Sequence, residues 1–197
     1  MPRLSLGFLP LLILVPIYGR CDLSSDDVNI MLSEHNRYRK LVGASDMQML
    51  YWDATLATSA QAYADMCTFS HSPNRGSKGE NIYASRWYSG SVSHASTRMW
   101  FAEGYRCRCQ NYYQPCCGHF TQMAWAKTNR IGCGFSYCPN GVKYAMFTQY
   151  IVVCHYWPGG NVLYPYNGLT LSRPAFQYGD ACSACPKGTS CNDGLCA

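Results

Sequence analysis

The chain has 197 residues, a formal net charge of +5 at pH 7 and 13 cysteines. This charge is too small to indicate a nucleic-acid-binding surface, for which a much more basic face would be expected. No apolar segment after the amino terminus is long enough to cross a membrane, so no transmembrane anchor is predicted in the mature chain. The length fits one compact domain with a small appendage.

The amino terminus has the pattern of a secretory signal peptide. Arg3 precedes an apolar run from Leu4 to Ile17, which is shorter than a membrane-spanning helix; a short membrane anchor is the alternative. Cleavage could follow Gly19 or Cys21, and the second site would leave an even number of cysteines. We predict a signal peptide over residues 1–21 and a secreted, extracellular chain with disulfides. Structural zinc clusters, the other use of paired cysteines, would need a reducing compartment.

Three segments have the periodicity of amphipathic helices. The first, over residues 22–40, can be capped by Ser24 or Ser25, with two aspartates in its first turn. The second, over residues 53–67, can be capped by Asp53, and the third covers residues 91–105.

A short helix and two strands are predicted next. The helix covers residues 119–125, and the strands cover residues 131–137 and 144–156, joined through Pro139-Asn140-Gly141. Helices packed on a small sheet make an α+β architecture. From Tyr164 the composition changes to proline, glycine and cysteine, which predicts a small cysteine-stapled tail.

Five short motifs follow one another along the chain. They are Glu34-His35-Asn36-Arg37-Tyr38-Arg39, Ser70-His71-Ser72, Gly79-Glu80-Asn81-Ile82, Gly118-His119-Phe120-Thr121-Gln122-Met123-Ala124-Trp125 and Ile151-Val152-Val153-Cys154-His155-Tyr156-Trp157-Pro158-Gly159-Gly160-Asn161-Val162. In this order they resemble the CAP superfamily of cysteine-rich secretory, antigen 5 and pathogenesis-related proteins. The resemblance implies a three-layer α-β-α sandwich, the CAP (SCP) domain, over residues 22–164. It also implies a hinge-like, cysteine-rich tail over residues 165–197.

The resemblance also implies part of the disulfide framework. Cys67 would pair with Cys138, and Cys133 with Cys154, because these four occupy the family's framework positions. The tail is expected to close on its own four cysteines, which are Cys182, Cys185, Cys191 and Cys196. A local cluster of Cys107, Cys109, Cys116 and Cys117 is expected to pair within itself, with the partners left open because spacing does not determine connectivity.

Four residues match the polar tetrad of the family, namely His71, Glu80, Glu103 and His119. In relatives these line a central cleft, where the histidines can hold a divalent ion and the glutamates flank it. Imidazole suits Zn²⁺ or another divalent cation, and a carboxylate can orient each ring. The alternative is a polar network that only stabilises the fold. No cofactor is required under either interpretation.

The sequence gives little support for catalysis. Ser70 adjoins His71, but adjacency in sequence does not create a nucleophile–base pair. Neither a Gly-x-Ser-x-Gly nor a His-Glu-x-x-His motif occurs. No catalytic residue is predicted, and a metal-dependent hydrolase using Glu80 or Glu103 stays an alternative. We expect a structural polar role for His35, a solvated position for His94 and no chemistry for His155.

Within the family the chain looks most like animal secreted members of the peptidase-inhibitor type. The stretch from Met123 to Cys133 and the cysteine-rich tail carry this likeness. It implies an extracellular binding protein with a protein, lipid or sterol partner. Weak trypsin-type inhibition of a protease is the alternative, with Arg106-Cys107-Arg108-Cys109 as the candidate loop, although solvated surface charge is the simpler account of those arginines.

Overall fold

The computed structural model describes residues 22–87 and 90–197, so the predicted signal peptide lies outside the described residues. The helices are α1 (Ser25–Lys40), α2 (Ala54–Ala64), α3 (Val92–Arg106) and α4 (Gly118–Met123), with a 3₁₀ turn at Pro115–Cys117. The central strands are β1 (Tyr51–Trp52), β2 (Gly79–Ser85), β3 (Arg130–Tyr137) and β4 (Tyr150–Trp157). Two hairpins follow, β5 (Leu163–Tyr166) with β6 (Leu169–Ser172) and β7 (Cys191–Asn192) with β8 (Leu195–Cys196).

The three long helices begin where polar side chains can satisfy their first amide groups. Ser24 Oγ accepts the Asp27 N–H at 3.1 Å, and Asp53 Oδ1 accepts the N–H groups of Thr55 and Leu56 at 2.9 Å. Ser91 is the N-cap of α3 in the same way. A capping side chain accepts hydrogen bonds from N–H groups that have no carbonyl partner within the helix. The starts of these helices can therefore be predicted from the sequence.

The central sheet has the strand order β1-β3-β4-β2, so β2 lies at an edge. Helix α2 packs on one face against Ile82, Ile151 and Val153, while α1, α3 and α4 cover the other face in the larger core. A Cβ atom at Gly132 or Gly134 would collide with the backbone of α2, so these glycines allow the helix to lie directly on β3. The architecture is the α+β, three-layer arrangement that was expected.

One strand prediction needs correction, and strand β2 is missing from the prediction. Strand β4 begins at Tyr150, not at residue 144, because residues 144–149 form a turn in which Tyr144 and Phe147 have φ values of +65° and +61°. Those values lie in the left-handed region, which cannot continue a strand. Strand β2 was not predicted, since its sequence mixes glycine, charge and amide and lacks clear alternation.

The tail is integrated into the domain more closely than an appendage would be. The expected boundary at residue 164 falls inside the β5–β6 hairpin. The Cys196 N–H donates to the Met47 carbonyl, and the Met49 N–H donates to the Cys196 carbonyl, both at 2.8 Å. Phe176 and Leu195 belong to the larger core. Tail and sandwich therefore share one hydrophobic interior.

Five disulfides are formed within the described residues. Cys67 pairs with Cys138 and Cys133 with Cys154, which is the pairing that the resemblance implies. The tail closes on itself through Cys182–Cys191 and Cys185–Cys196. In the local cluster Cys109 pairs with Cys117, whereas Cys107 and Cys116 are free thiols, so the expectation of complete pairing there is not met. No helix of the described part is long and apolar enough to cross a bilayer.

Candidate metal centre

The first half of the candidate site is a histidine held by a buried carboxylate. His71 lies in the loop after α2, and its Nδ1 is 2.7 Å from Oε1 of Glu80. The Ser72 N–H donates to the same oxygen at 2.9 Å. The Glu80 side chain is fully buried, but the His71 side chain is 57% exposed. The imidazole can therefore meet a ligand from solvent while its carboxylate partner stays fixed.

Glu80 has a second histidine partner, His155, for which the sequence predicts no chemistry. His155 Nε2 is 3.0 Å from Glu80 Oε2, and the two residues are cross-strand neighbours in the β2–β4 register. Burial raises the pKa of Glu80, but the hydrogen bonds from His155, His71 and Ser72 outweigh it and hold the pKa well below its ordinary value. The carboxylate is thus ionised when it orients His71. Recognising β2 as the partner of β4 would have revealed His155.

The second half of the site joins α3 to α4. His119 Nδ1 is 2.6 Å from Oε1 of Glu103, and the other carboxylate oxygen accepts the backbone N–H of His119 at 3.0 Å and of Phe120 at 3.3 Å. The Glu103 carboxylate therefore accepts hydrogen bonds both from the imidazole and from the free N–H groups at the amino-terminal end of α4. Trp100 stacks on the His119 ring, with centroids 6.1 Å apart and planes 19° apart.

Consecutive residues of β2 connect the two halves. Glu80 accepts from His71, and Asn81 donates its side-chain N–H to the His119 carbonyl at 3.1 Å. Glu80 therefore positions the His71 ring, and Asn81 positions the backbone of His119, from adjacent positions of the edge strand. The Asn81 amide also contacts the Tyr156 hydroxyl, which is 2.9 Å from Nε2 of the buried His35. The structural polar role expected for His35 fits this position.

Both imidazoles of the tetrad have the same hydrogen-bonding arrangement. Each Nδ1 is engaged by a carboxylate, which leaves Nε2 as the nitrogen available to a metal ion. A carboxylate at the far nitrogen fixes the tautomer and raises the basicity of the ligand, as in many zinc sites.

The tetrad does not form a compact set of three or more ligands. In the part of the chain that the structure describes, such sets consist of cysteines only, and both contain disulfide-bonded members. Disulfide sulfur is not the thiolate that zinc requires. The resemblance implies His71 and His119 as the protein ligands, and two imidazoles alone would leave the remaining coordination positions open.

Comparisons with known proteins agree with this fold and these motifs. The family model described as "CAP: Cysteine-rich secretory protein family" matches residues 32–156. Protein lon-1 of Caenorhabditis elegans is 45% identical over 175 residues, covering 83% of this chain and 54% of the relative. Peptidase inhibitor 16 of Mus musculus is 36% identical over 187 residues, covering 88% of this chain and 34% of the relative.

A solved structure gives the same result for the fold. "Crystal structure of NaASP2 with Zn2+" superposes with a TM-score of 0.69 at 25% identity, covering 92% of this chain and 99% of that one. The chain spans about half or less of the length of the two relatives above. The match of the family model over most of the chain, together with the level of identity, shows that this chain belongs to the CAP, or cysteine-rich secretory protein, family.

Proposed function

We propose that this chain is a secreted CAP-domain binding module whose site holds a divalent cation, with Zn²⁺ as the best fit, through Nε2 of His71 and His119. The observation that carries the proposal is the paired geometry, in which a carboxylate holds each Nδ1 at 2.7 or 2.6 Å. The Zn²⁺ named for the structurally similar NaASP2 supports the choice of metal. The disulfides support an extracellular location.

The site favours binding over catalysis. A metal ion held by two imidazoles keeps positions that an oxygen or nitrogen donor of an extracellular protein or lipid could fill. When bound, the ion would supply Lewis acidity to such a donor. The residues of this chain orient the two rings, and the carboxylates of Glu80 and Glu103 contribute negative charge beside them.

Ser59, His155 and Glu80 are hydrogen-bonded to one another in the sequence of a serine–histidine–carboxylate triad. Ser59 Oγ is 2.8 Å from His155 Nδ1, whose ring contacts Glu80 through the other nitrogen. His155 is buried, however, and Lys78 donates to Ser59 Oγ at 2.8 Å, which occupies a lone pair of the would-be nucleophile. We therefore assign these hydrogen bonds to anchoring α2 on the sheet, not to hydrolysis.

Peptidase inhibition is named for a relative, but the candidate loop here does not favour it. Arg106 is the last residue of α3, and Arg108 has a φ of +50°. A substrate-like inhibitory segment binds the protease cleft with an extended backbone. Neither Arg106 nor Arg108 has an extended backbone conformation. The two exposed arginines fit solvated surface charge, and inhibition stays a prediction from the resemblance.

Zinc titration by calorimetry tests the proposal. Wild-type protein should bind one Zn²⁺, whereas His71→Ala and His119→Ala should each abolish saturable binding. Glu103→Gln should weaken zinc affinity by about 10- to 100-fold, because the imidazole loses its charged partner. His94→Ala is the matched control, since this exposed histidine lies outside the tetrad and should leave zinc affinity unchanged. Equal zinc binding by wild type and both tetrad alanine variants would contradict the proposal.

A further inference from the structure

A separate pocket lies between α2 and the loop over residues 72–78. Its volume is about 250 Å³, and its lining includes Ser59, Ser72, Arg75, Lys78 and His155. It lies on the α2 side of the sheet, and none of the four tetrad side chains lines it. This volume is below that of a typical drug-sized ligand site, so the pocket fits a small group.

The hydroxyl of Ser72, one of the lining residues, lacks a hydrogen-bond partner in the described part of the chain. The residue is only 7% exposed, and its hydroxyl is the one buried side-chain polar atom of the described residues without a hydrogen-bond partner. Its backbone N–H is already used by Glu80, so the hydroxyl alone is left over. A buried polar group without a partner is unfavourable and in native proteins calls for a water or a ligand.

The charges beside Ser72 are positive. Arg75 and Lys78 are both half-buried, and neither forms an ion pair within the described part of the chain. None of the lining residues is acidic. Glu80 does not line the pocket, and its carboxylate accepts hydrogen bonds from two histidines and the Ser72 amide. The pocket therefore combines two cationic side chains with a free hydroxyl donor.

We propose that this pocket binds a tetrahedral oxyanion, the sulfate or phosphate group of an extracellular ligand. Arg75, Lys78 and Ser72 would each donate to the anion, and charge-assisted bonds of this kind are among the strong hydrogen bonds of proteins. A water molecule would satisfy the Ser72 hydroxyl but would not neutralise two half-buried cations. An anionic ester group does both, and it also fits the limited volume.

Titration of ¹⁵N-labelled protein with sodium sulfate and sodium phosphate tests the site. The backbone amide signals of Ser72 and of residues 74–78 should shift saturably with either ion. Glucose 6-sulfate and glucose 6-phosphate, titrated in parallel, separate recognition of an ester from recognition of a free ion. Ser72→Ala, Arg75→Gln and Lys78→Gln should each weaken the affinity by about tenfold or more, because each removes a hydrogen bond to a charged ligand.

The controls separate a site from general ionic screening. Lys143→Gln changes the net charge as Lys78→Gln does, and Arg86→Gln matches Arg75→Gln, but both control residues line a different pocket beside the β3–β4 turn. The controls should leave anion affinity unchanged. Equal weakening by a control and its matched variant would overturn the proposal, as would shifts that do not saturate. Zinc titration of Lys78→Gln keeps the two proposals distinct, since its zinc affinity should equal that of wild type.

Discussion

His35 shows how burial controls the ionisation of a single side chain. Its ring is fully buried, with Nδ1 2.7 Å from the Met31 carbonyl and Nε2 near the Tyr156 hydroxyl. Burial lowers the pKa of His35 to about 4, against an ordinary value of 6.5. The folded protein therefore keeps this imidazole neutral at pH values where an unfolded chain would protonate it.

We expect this histidine to make the protein sensitive to acid. Below pH 6.5 the His35 imidazole is protonated in the unfolded chain, but in the folded protein it stays neutral down to about pH 4. The free energy of unfolding therefore falls between these two pH values. The loss should reach roughly 3 kcal/mol at about pH 4, with the full stability present above pH 6.5. Urea unfolding across the window measures it. His35→Gln should be less stable at neutral pH but lose less stability on acidification; an unchanged pH slope would refute the assignment.

Residue identity predicted part of the site and missed the rest. His71, Glu80 and His119 are predicted because each lies in one of the five motifs, and Glu103 because it matches the family's tetrad position. His155 also lies in a motif, yet its contact with Glu80 depends on a cross-strand register across 75 residues. No local pattern encodes such a separation.

At the scale of elements, Arg39 fastens α1 to the loop after α4. Its exposure is 1%, and burial lowers its pKa to about 9. The guanidinium donates to the backbone carbonyls of Gln48, Met123, Trp125, Ala126 and Thr128. One side chain thus replaces the hydrogen bonds that secondary structure would otherwise provide for this loop.

Removing this guanidinium should cost far more stability than removing its neighbour on the helix. Arg39→Leu leaves several buried carbonyls without donors, so the free energy of unfolding should fall by about 3 kcal/mol or more. Arg37→Leu is the matched control, because Arg37 is half-exposed, pairs with Glu34 and lies over the Tyr38 ring. An exposed ion pair of this kind is worth about 1 kcal/mol or less. Chemical denaturation of both variants provides the comparison. Similar losses in the two would show that the carbonyl contacts contribute little.

The ends of helices and strands can be predicted from the sequence only where residues close by in the chain determine them. The helix starts at Ser24, Asp53 and Ser91 were predictable because a cap acts within three residues of itself. The start of β4 was not, because the apolar residues 144–147 look like strand but adopt a turn whose hydrogen bonds lie outside any strand pattern. β-Propensity reports packing context more than backbone preference.

For the whole molecule, the tail is part of the core. Phe176 is 3% exposed and packs in the cluster that also contains Trp125 and Leu195. The Ala126 N–H donates to the Ala175 carbonyl at 2.7 Å, which joins the tail to the segment after α4. Loss of tail packing should therefore destabilise the sandwich as well as the tail.

Phe176→Ala tests this shared core. We expect the free energy of unfolding to fall by about 3–5 kcal/mol in one cooperative transition, because a large buried ring is lost. Tyr166→Ala, in the exposed part of the β5–β6 hairpin, should change it by about 0.5 kcal/mol or less. Fluorescence- and circular-dichroism-monitored denaturation should give coincident curves. A separate early transition for the tail, with the sandwich unaffected, would contradict a common core.

The family and the three long helices could be predicted from the chain alone, because motif order, caps and helical periodicity depend on residues close together in sequence. The tetrad as a metal site stays a prediction from the resemblance. Only the packed fold shows that a carboxylate engages Nδ1 of each tetrad imidazole, that His155 shares Glu80 with His71, and that the Ser72 hydroxyl has no partner among the described residues. These features arise where distant segments meet, and the direction of a hydrogen bond or the absence of one is settled only by that packing.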